Sequence, residues 1–489
     1  MPIDFSRIDQ IINQLRYVRS GDIVLSSDHN SQNDAIKELT DLLKSHPRPP
    51  AMIIAASDTP ETLKQKADYI CDGVSDQVEI NEALTKSSTV ILCEGTYQIN
   101  DSIVMQNNTR LIGSNNTTIK NDRDESFDFI KVVGKTNVEV RNIRLYLPFT
   151  PSADVIIRAI YIENSTNILI ESCKIIGYFY WGVCTASETG WCQNIKVIKN
   201  YFEGTGGDIC VEFCRGASIL ENTLYNCDFY SIRVRTSSAL VMNNVINNSA
   251  GGVEILSFLD EWFEGQCAIV SNNIITSSLA DAVDAFETPI VVITDNYAEI
   301  APDIWTLAAI EVYDVDRAII ANNVIDGKWS AYYGIYLDYY NYTAVQCIIE
   351  QNTINNVGGA GILGWMQNSI ISGNIISYCR YEGIYIIADN TIISKNTIHT
   401  TSQIGNNQRD CIYADYSKNL IIEGNRCYWG NETNKPRYGI YIDSGCQRIM
   451  IHGNNLYQSG VTGDLYIASG TNTKARDNIG NNGEWLPDI

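Results

Sequence analysis

One short phrase recurs along most of the chain and restricts the folds that the chain can adopt. It reads β-branched, β-branched, polar, polar, Asn, apolar, and it runs from about residue 137 to the end. Clear copies are IIANNVI (319–325), IISGNII (370–376) and IIEGNRC (421–427). A phrase that returns about every 22 to 30 residues is the signature of a solenoid, in which each repeat is one supersecondary unit stacked on the next.

A second phrase lies between successive copies of the first and alternates as a β-strand does. Examples are GVEIL (252–256), AVDAF (282–286), AIEVY (309–313) and GIYLD (334–338). Two or three short strands per repeat, with no helix-length segment between them, cannot build βαβ units. Leucine-rich repeats are excluded because their LxxLxLxxN pattern and helical half-repeat are missing. We therefore predict an all-β right-handed parallel β-helix.

The Asn of the first phrase is expected to lie at a turn between strands. There it would adopt a left-handed backbone and hydrogen-bond the equivalent Asn of the next coil. Each coil is too thin to bury its inward side chains alone. Its Ile and Val residues are therefore expected to stack on those of the coils above and below.

The first residues differ in pattern from the repeats. Residues 4–16 and 28–44 have the apolar spacing of short amphipathic helices, and SHPRPP (45–50) has the composition of a linker. We expect residues 1–50 to form a helical attachment or oligomerisation segment, with an intrachain cap as the equal alternative. Residues 51–130 would then be a linker and the cap of the β-helix, and residues 131–489 the β-helix body.

The segments that follow residue 67 resemble the start of a known superfamily. They read ADYICDGVSDQVEINEAL (67–84), VILCEGTYQI (90–99) and TRLIGSNNTTI (109–119). They resemble the first coils of pectate-lyase-like β-helix proteins, which include many viral tailspikes. The matching residues are Asp72, Gly73, Asp76, Ala83, Leu84, Gly95, Tyr97, Leu111 and Gly113. The resemblance implies a helix over residues 76–86 that covers the open edge of the first coil.

The same resemblance leaves the chemistry open, because the superfamily holds hydrolases, lyases, epimerases and adhesins. Residues 16–36 also resemble, more weakly, attachment segments of phage and archaeal-virus tail fibres. The two resemblances imply an extracellular place in a virion tail. The apolar stripes of the two predicted helices lead us to expect contacts with other tail proteins through residues 1–50, and we expect a homotrimer.

The charge of the chain restricts its partners. Lys and Arg number 35 against 57 Asp and Glu, for a net charge of −22. A duplex nucleic acid or an anionic membrane would need a basic face, so we expect neither as a partner. No run of 18 apolar residues is present, and we expect no membrane insertion. The 4 His residues and scattered Cys residues, without a CxxC pair, predict no metal site and no cofactor.

Function is expected on the outward positions of the second phrase, which alternate with the inward apolar positions. One outward column places Glu254, Asp284 and Glu311 on three successive coils. Neighbouring carboxylates about 5 Å apart repel by about 3 to 4 kcal/mol at an effective dielectric of 20. The column therefore needs a shared proton, a bound cation, or neutralisation by Arg233 and Arg235.

These acids are predicted to include a general acid and its partner for glycoside hydrolysis, with Glu212 as the next candidate. Arg233 and Arg235 would bind an anionic or hydroxyl-rich substrate. An ion-pair ladder of Glu212, Arg233 and Glu254 without catalytic use is the structural alternative. Cys184 and Cys210 share the same column on consecutive coils, so they are either a disulfide or two free thiols.

An aromatic stripe continues the outward columns toward the C-terminus. The residues predicted to contact substrate there are Tyr313, Tyr336, Asp338 and Trp365, with Trp262 in a neighbouring insertion. Flat rings with polar rims suit pyranoses, but the stripe could equally be a stabilising stack or the seam of a trimer. We therefore expect a tailspike-like protein that binds a host surface polysaccharide or glycoprotein glycan and hydrolyses it. A polysaccharide lyase and a non-catalytic adhesin are the alternatives.

Overall fold

The structure is a computed structural model that describes residues 51–186, 190–236, 238–256, 267–338, 346–430, 432–480 and 482–489. The predicted helices and attachment segment of residues 1–50 lie outside the described residues, as does Trp262. The described chain forms two helices, α1 (Glu61–Lys64) and α2 (Gln77–Lys86), and 44 strands. Neither of these helices has the length and apolar character needed to cross a membrane.

The strands stack into three parallel sheets, and each coil contributes to one sheet after another. The first sheet contains Met52–Ala55, Thr89–Leu92, Arg110–Gly113, Thr136–Arg141, Thr166–Glu171, Cys192–Ile198, the second half of Gly207–Leu220, Ser238–Met242, Cys267–Ser271, Ile290–Thr294, Arg317–Ala321, Gln346–Glu350, Ile370–Ser372, Ile392–Ser394, Ile421–Glu423, Met450–His452 and Lys474–Arg476, and Tyr69–Ile70 pairs with its first strand.

The second sheet contains Gly95–Gln98, Thr117–Lys120, Arg144–Leu147, Lys174–Gly177, Tyr201–Glu203, the first halves of Thr223–Thr236 and Val245–Leu256, Ile274–Ser278, Tyr297–Ile300, Val324–Asp326, Thr353–Val357, Ile375–Cys379, Thr397–His399 and Arg426–Tyr428. The third sheet contains Ile103–Val104, Phe127–Val133, Ile157–Glu163, Trp181–Thr185, the first half of Gly207–Leu220, the second halves of Thr223–Thr236 and Val245–Leu256, Val283–Phe286, Thr306–Tyr313, Ala331–Asp338, Ile362–Gln367, Ile384–Asp389, Ile412–Ala414, Tyr438–Ile442 and Gly463–Ile467.

The predicted all-β parallel β-helix is confirmed. Inward side chains, mostly Ile and Val, form one continuous core along the rod. In the third sheet, for example, Val283, Ala285, Ile310 and Val312 are fully buried. Burial of β-branched residues on stacked coils stabilises the rod through contacts between neighbouring coils, as in other solenoids.

The Asn ladder is present, although its backbone differs from the prediction in one respect. From Asn200 to Asn478, each buried Asn amide donates to the Oδ1 of the next, for example Asn323 to Asn352 at 2.9 Å. The left-handed residue is the one before the Asn, as at Asn322 (φ 56°). The ladder Asn itself points inward to satisfy backbone groups, so the turn conformation falls on its more exposed neighbour.

The cap predicted for the first coil is also confirmed. Helix α2 buries Ile80, Ala83 and Leu84 against the first coils. The buried Asp76 carboxylate accepts from the amides of Gly73 (2.9 Å) and Gln98 (2.8 Å). Gly73 has φ 88°, which favours glycine. The Asp-Gly-x-x-Asp loop is therefore a structural device that fixes the cap helix over the open edge of the sheet.

Candidate functional site

The outward columns have the register that the sequence predicts. In the third sheet, Arg233 pairs with Glu254, Glu254 with Asp284, and Asp284 with Glu311. The neighbouring column runs in register through Glu212, Arg235, Leu256, Phe286, Tyr313 and Asp338. Strands of adjacent coils lie roughly 4.8 Å apart, so these side chains are stacked neighbours.

The acids of the first column are less accessible than the sequence suggests. Only 4% of Asp284 and 7% of Glu311 is exposed. An outward position in the register therefore does not leave these two carboxyl groups open to solvent. An alternating pattern tells which side of the sheet a side chain leaves from, but not whether neighbouring side chains cover it there.

Tyr230 is one of the side chains over Asp284. It is the register partner of Gly251, and a Cβ at position 251 would lie 2.5 Å from the Tyr230 ring. The glycine leaves the room for this ring to lie across the intervening coil. The Tyr230 hydroxyl then donates to Oδ2 of Asp284 at 3.2 Å, two coils away.

Asp281 is a further acid at this site that the column prediction missed. Its Oδ1 accepts from the Thr306 hydroxyl at 2.5 Å and from the Ala308 amide at 3.2 Å. Carboxylate oxygens of Asp281, Asp284 and Glu311 lie within 4.8 Å of one another, and we call these three residues the acid cluster. Asp281 precedes its strand, so the alternation of the second phrase gave no signal for it.

Burial and like charge raise the pKa values in the acid cluster. Burial, followed by the charges of Asp281 and Glu254, raises the pKa of Asp284 to about 8, while the Tyr230 hydrogen bond acts in the opposite direction. Burial also raises the pKa of Glu311 well above its usual range, and a hydrogen bond with Asp281 adds to this. A hydrogen bond between two carboxyl groups requires a proton, so the cluster retains protons at neutral pH.

Glu254 has a different environment from the acid cluster. The Arg233 Nε lies 2.9 Å from its Oε2 and 3.2 Å from Oε1 of Glu212. Burial raises the pKa of Glu254, and the charges of Arg233 and Arg235 oppose that rise. The predicted ion-pair ladder is therefore present. It places an arginine-supported carboxylate directly beside a carboxyl group that holds its proton.

The acid cluster has the ligand chemistry for a divalent cation. Its three carboxylates offer the hard oxygen ligands that Ca²⁺ and Mg²⁺ prefer. Among the described residues, Asp284 Oδ1 is buried without a hydrogen-bond partner. Protonation of the cluster, which the raised pKa values indicate, competes with such binding.

The second column provides an apolar surface beside the acids. Phe286 and Tyr313 follow Leu256 in register, and their ring centroids are 5.3 Å apart. On the following coils, the Tyr336 hydroxyl donates to Asp338 at 2.6 Å, and the Trp365 ring lies edge-on to Tyr336 at 6.2 Å. The structure thus brings Tyr313, Tyr336, Asp338 and Trp365 onto one continuous face.

The remaining part of the aromatic stripe is a stack. The Tyr441 ring lies between Tyr413 (5.2 Å, 24° between planes) and Tyr466 (4.5 Å, 16°). The Tyr413 hydroxyl donates to Asp443 at 2.5 Å. Neighbouring rings cover both faces of Tyr441, so this segment fits the stabilising alternative better than contact with a sugar face.

All 14 cysteines are free thiols, and 13 of them are buried. Cys184 and Cys210 are register partners, as expected from the column. The alternative of two free thiols is the one observed for this pair.

These features define a class of protein: a parallel β-solenoid that carries a buried acid cluster and an aromatic face on one sheet. The family model described as a right-handed β-helix region matches residues 154–277 and 308–479. The chain belongs to this right-handed β-helix family. No curated protein matches the chain.

Solved structures share the fold at low sequence identity. A variant of the tailspike protein of E. coli bacteriophage HK620, in complex with a pentasaccharide, is 13% identical over 85% of this chain and 76% of that chain, with a TM-score of 0.52. Tailspike protein 3 of bacteriophage CBA120 is 13% identical over 97% of this chain, with a TM-score of 0.39; the match spans 65% of that tailspike, less than two thirds. The A-module of the Azotobacter vinelandii mannuronan C-5 epimerase AlgE6 is 14% identical over 83% and 95% of the two chains, with a TM-score of 0.31.

Proposed function

We propose that the chain is a tailspike-like protein that binds a cell-surface glycan and hydrolyses it with carboxyl groups of the third sheet. The observation that carries this proposal is the pairing of Asp284, whose pKa is raised to about 8, with the arginine-supported Glu254 on the adjacent coil. Glycoside hydrolysis uses such a pair, in which one carboxyl group is protonated and the other ionised. The shared fold with a tailspike that was solved with a pentasaccharide supports the glycan as substrate class.

Asp284 is proposed as the general acid. Its proton passes to the glycosidic oxygen as the bond from that oxygen to the anomeric carbon breaks. The Glu254 carboxylate attacks the anomeric carbon from the opposite face of the sugar and forms a glycosyl ester. Ionised Asp284 then takes a proton from water, whose oxygen displaces Glu254. The products are one new reducing end and one free hydroxyl group.

The spacing of the two acids favours retention of configuration. Retaining glycosidases place their carboxyl groups about 5 to 5.5 Å apart, whereas inverting enzymes need about 6.5 to 9.5 Å. Side chains in register on adjacent coils start roughly 4.8 Å apart. Two carboxyls on alternate coils, such as Glu254 and Glu311, would instead suit inversion.

Other residues would hold the substrate and tune the acid. Burial and the negative charges of Asp281 and Glu254 oppose the ionisation of Asp284. Phe286 and Tyr313 present apolar surface for a pyranose ring beside the acids, and Trp365 extends it. Arg235 is in register with Glu212 and Leu256, where its donors are suited to hydroxyl or carboxylate groups of the sugar.

The same proposal includes the biological setting. A glycan-binding rod would act outside the host cell, as part of a virion tail. Residues 1–50 would attach it to other tail proteins, and three copies would form the working unit. The oligomeric size of the full chain tests whether three copies form the working unit. A chain that lacks residues 1–50 should remain a folded rod, so comparing its size with that of the full chain tests the role of the segment.

The test is the release of reducing ends from purified bacterial surface polysaccharides. We expect activity in the parent chain and a loss of at least 100-fold in Asp284→Asn. Asp154→Asn should keep the parent activity, because Asp154 is exposed in a turn many coils before the acid cluster. Product absorbance near 235 nm would instead indicate a lyase. Binding without new reducing ends would overturn the hydrolytic step.

A specific observation favours a second candidate, a non-catalytic adhesin. Asp284 and Glu311 are nearly inaccessible, and Arg233 is shared by two glutamates in an ion-pair ladder. Under this alternative the acid cluster is a structural feature, and the chain binds glycans without cleaving them. The Asp284→Asn variant would then bind the same glycans as the parent, and neither chain would release reducing ends.

A further inference from the structure

A group of aromatic rings lies at the start of strands of the third sheet, beginning at the strand that carries Glu311. Trp305 directly precedes Thr306, whose hydroxyl donates to Asp281. Trp305 is 72% exposed. Its centroid lies 6.5 Å from that of Tyr332 on the next coil. The ring of Tyr332 in turn contacts Tyr381 at 5.5 Å. We call Trp305, Tyr332 and Tyr381 the aromatic platform.

The backbone is shaped to bring these rings together across several coils. Gly359 lies on the coil between Tyr332 and Tyr381, since the Tyr381 amide donates to the Gly359 carbonyl. A Cβ at position 359 would lie 3.1 Å from the Tyr332 ring and 2.5 Å from its carbonyl oxygen. Glycine therefore leaves space for the Tyr332 ring to lie flat over that coil and reach Tyr381. The arrangement repeats that of Tyr230 over Gly251, which positions a hydroxyl at Asp284.

The rim of the platform carries polar groups. The Arg409 guanidinium lies over the Tyr381 ring at 4.3 Å. Its Nη1 is 3.5 Å from Oε1 of Glu382, which is buried. A guanidinium has five N–H donors in a fixed plane, more than this one pairing uses. Apolar ring faces bordered by fixed donors match a pyranose, which has apolar C–H faces and a rim of hydroxyl groups.

The exposure of Trp305 also needs an explanation. Tryptophan is highly buried on average, and Trp305 is exposed beside two half-buried rings, Tyr332 and Tyr381, that extend its apolar surface. Two features indicate that a glycan occupies this surface. The platform is continuous with the acid cluster through Thr306 and Asp281, and its polar rim suits hydroxyl groups. A glycan chain held at the acid cluster would extend onto the platform.

We propose that the aromatic platform is a second sugar-binding subsite, in which Trp305 packs against a pyranose ring of the glycan outside the bond that is cleaved. This inference rests on the proposed function for the identity of the ligand as a glycan. It adds a binding role to three residues that the column pattern does not include.

The test is a binding measurement that does not depend on cleavage. The probes are dextran, alginate and purified bacterial O-antigen polysaccharides, titrated against Asp284→Asn chains by isothermal calorimetry. We expect the additional change Trp305→Ala to weaken binding at least tenfold and Trp305→Phe to restore most of the affinity. Trp485→Ala is the matched control, because Trp485 is 70% exposed at the end of the rod, and it should leave the affinity unchanged.

The outcomes separate this inference from the proposed function. Equal affinity of the Trp305→Ala and Trp485→Ala chains would overturn the subsite while glycan binding stands. A change in oligomeric size on Trp305→Ala, without a change in affinity, would assign the platform to a subunit contact and overturn the subsite as well. Trp305-dependent binding without release of reducing ends would support the subsite and overturn hydrolysis alone. No binding of any probe would overturn both.

Discussion

Replacement of Asp284 by Asn should make the stability of the protein less dependent on pH. Burial raises the pKa of this carboxyl group to about 8 in the folded chain, whereas an unfolded chain has an Asp pKa of about 3.9. Between these two values the folded chain holds a proton that the unfolded chain has released. The contribution of Asp284 to stability is therefore fully present below about pH 4 and is lost as the pH rises to about 8.

The dependence of the free energy of unfolding on pH follows from the one proton that Asp284 holds. Stability falls by about 1.4 kcal/mol for each pH unit within that window because of Asp284 alone. Asn carries no titrating proton, so this slope disappears in Asp284→Asn. Relative to the parent, the variant should gain about 3 kcal/mol in free energy of unfolding between pH 5 and pH 7. The gain would accompany loss of catalysis, because the same burial keeps the proton on the acid.

Urea titrations of both chains at pH 5, 6 and 7 and constant ionic strength measure this difference. Glu311 titrates in both chains, and burial and Asp281 raise its pKa more than the charge of Asp284 does, so the difference between the chains comes mainly from Asp284. Asp154→Asn, at an exposed position, should show a difference from the parent that does not vary with pH. A stability difference between Asp284→Asn and the parent that stays constant over these pH values would refute the assignment of a raised pKa to Asp284.

Other changes test separate contacts of the site and the rod. Tyr230→Phe removes the hydrogen bond that lowers the pKa of Asp284, so the alkaline limb of the pH–rate profile should move up by about one pH unit. Arg233→Met removes a charge that lowers the pKa of Glu254. The acidic limb of the pH–rate profile should therefore move to higher pH, and kcat should fall. An acidic limb at the parent's pH would argue against Glu254 as the ionised partner. Asn352→Ala leaves buried groups of the Asn ladder without partners and should cost about 3 kcal/mol in free energy of unfolding, measured by denaturant titration. Chelation with EDTA should leave the rate of reducing-end release unchanged; a loss that Ca²⁺ restores would show that the acid cluster works with a cation.

Much of this structure can be predicted from the repeat. Strand side chains alternate with a period of two, so the second phrase specifies which residues share a column, and the predicted register of Glu254, Asp284 and Glu311 is the observed one. The ladder of buried Asn residues follows instead from the recurrence of the first phrase once per coil. What the period could not specify is how far a side chain reaches across neighbouring coils.

Two kinds of feature could not be predicted from the sequence: side chains that extend across a neighbouring coil, and residues that precede the strands. Tyr230 covers Asp284 because Gly251 lacks a side chain on the coil between them. Asp281 and Trp305 precede their strands, where the alternation gives no information. In β-helix sequences, an aromatic residue on one coil and glycine at the paired position of the next coil indicate an aromatic side chain that lies across the neighbouring coil.

The most direct measurement is a crystal structure of Asp284→Asn with an oligosaccharide from a polysaccharide that the parent chain cleaves. The proposed mechanism predicts a glycosidic oxygen within about 3.2 Å of the side chain of residue 284 and the anomeric carbon facing Glu254. An oligosaccharide bound on another face of the rod, with residue 284 still covered by Tyr230, would contradict it.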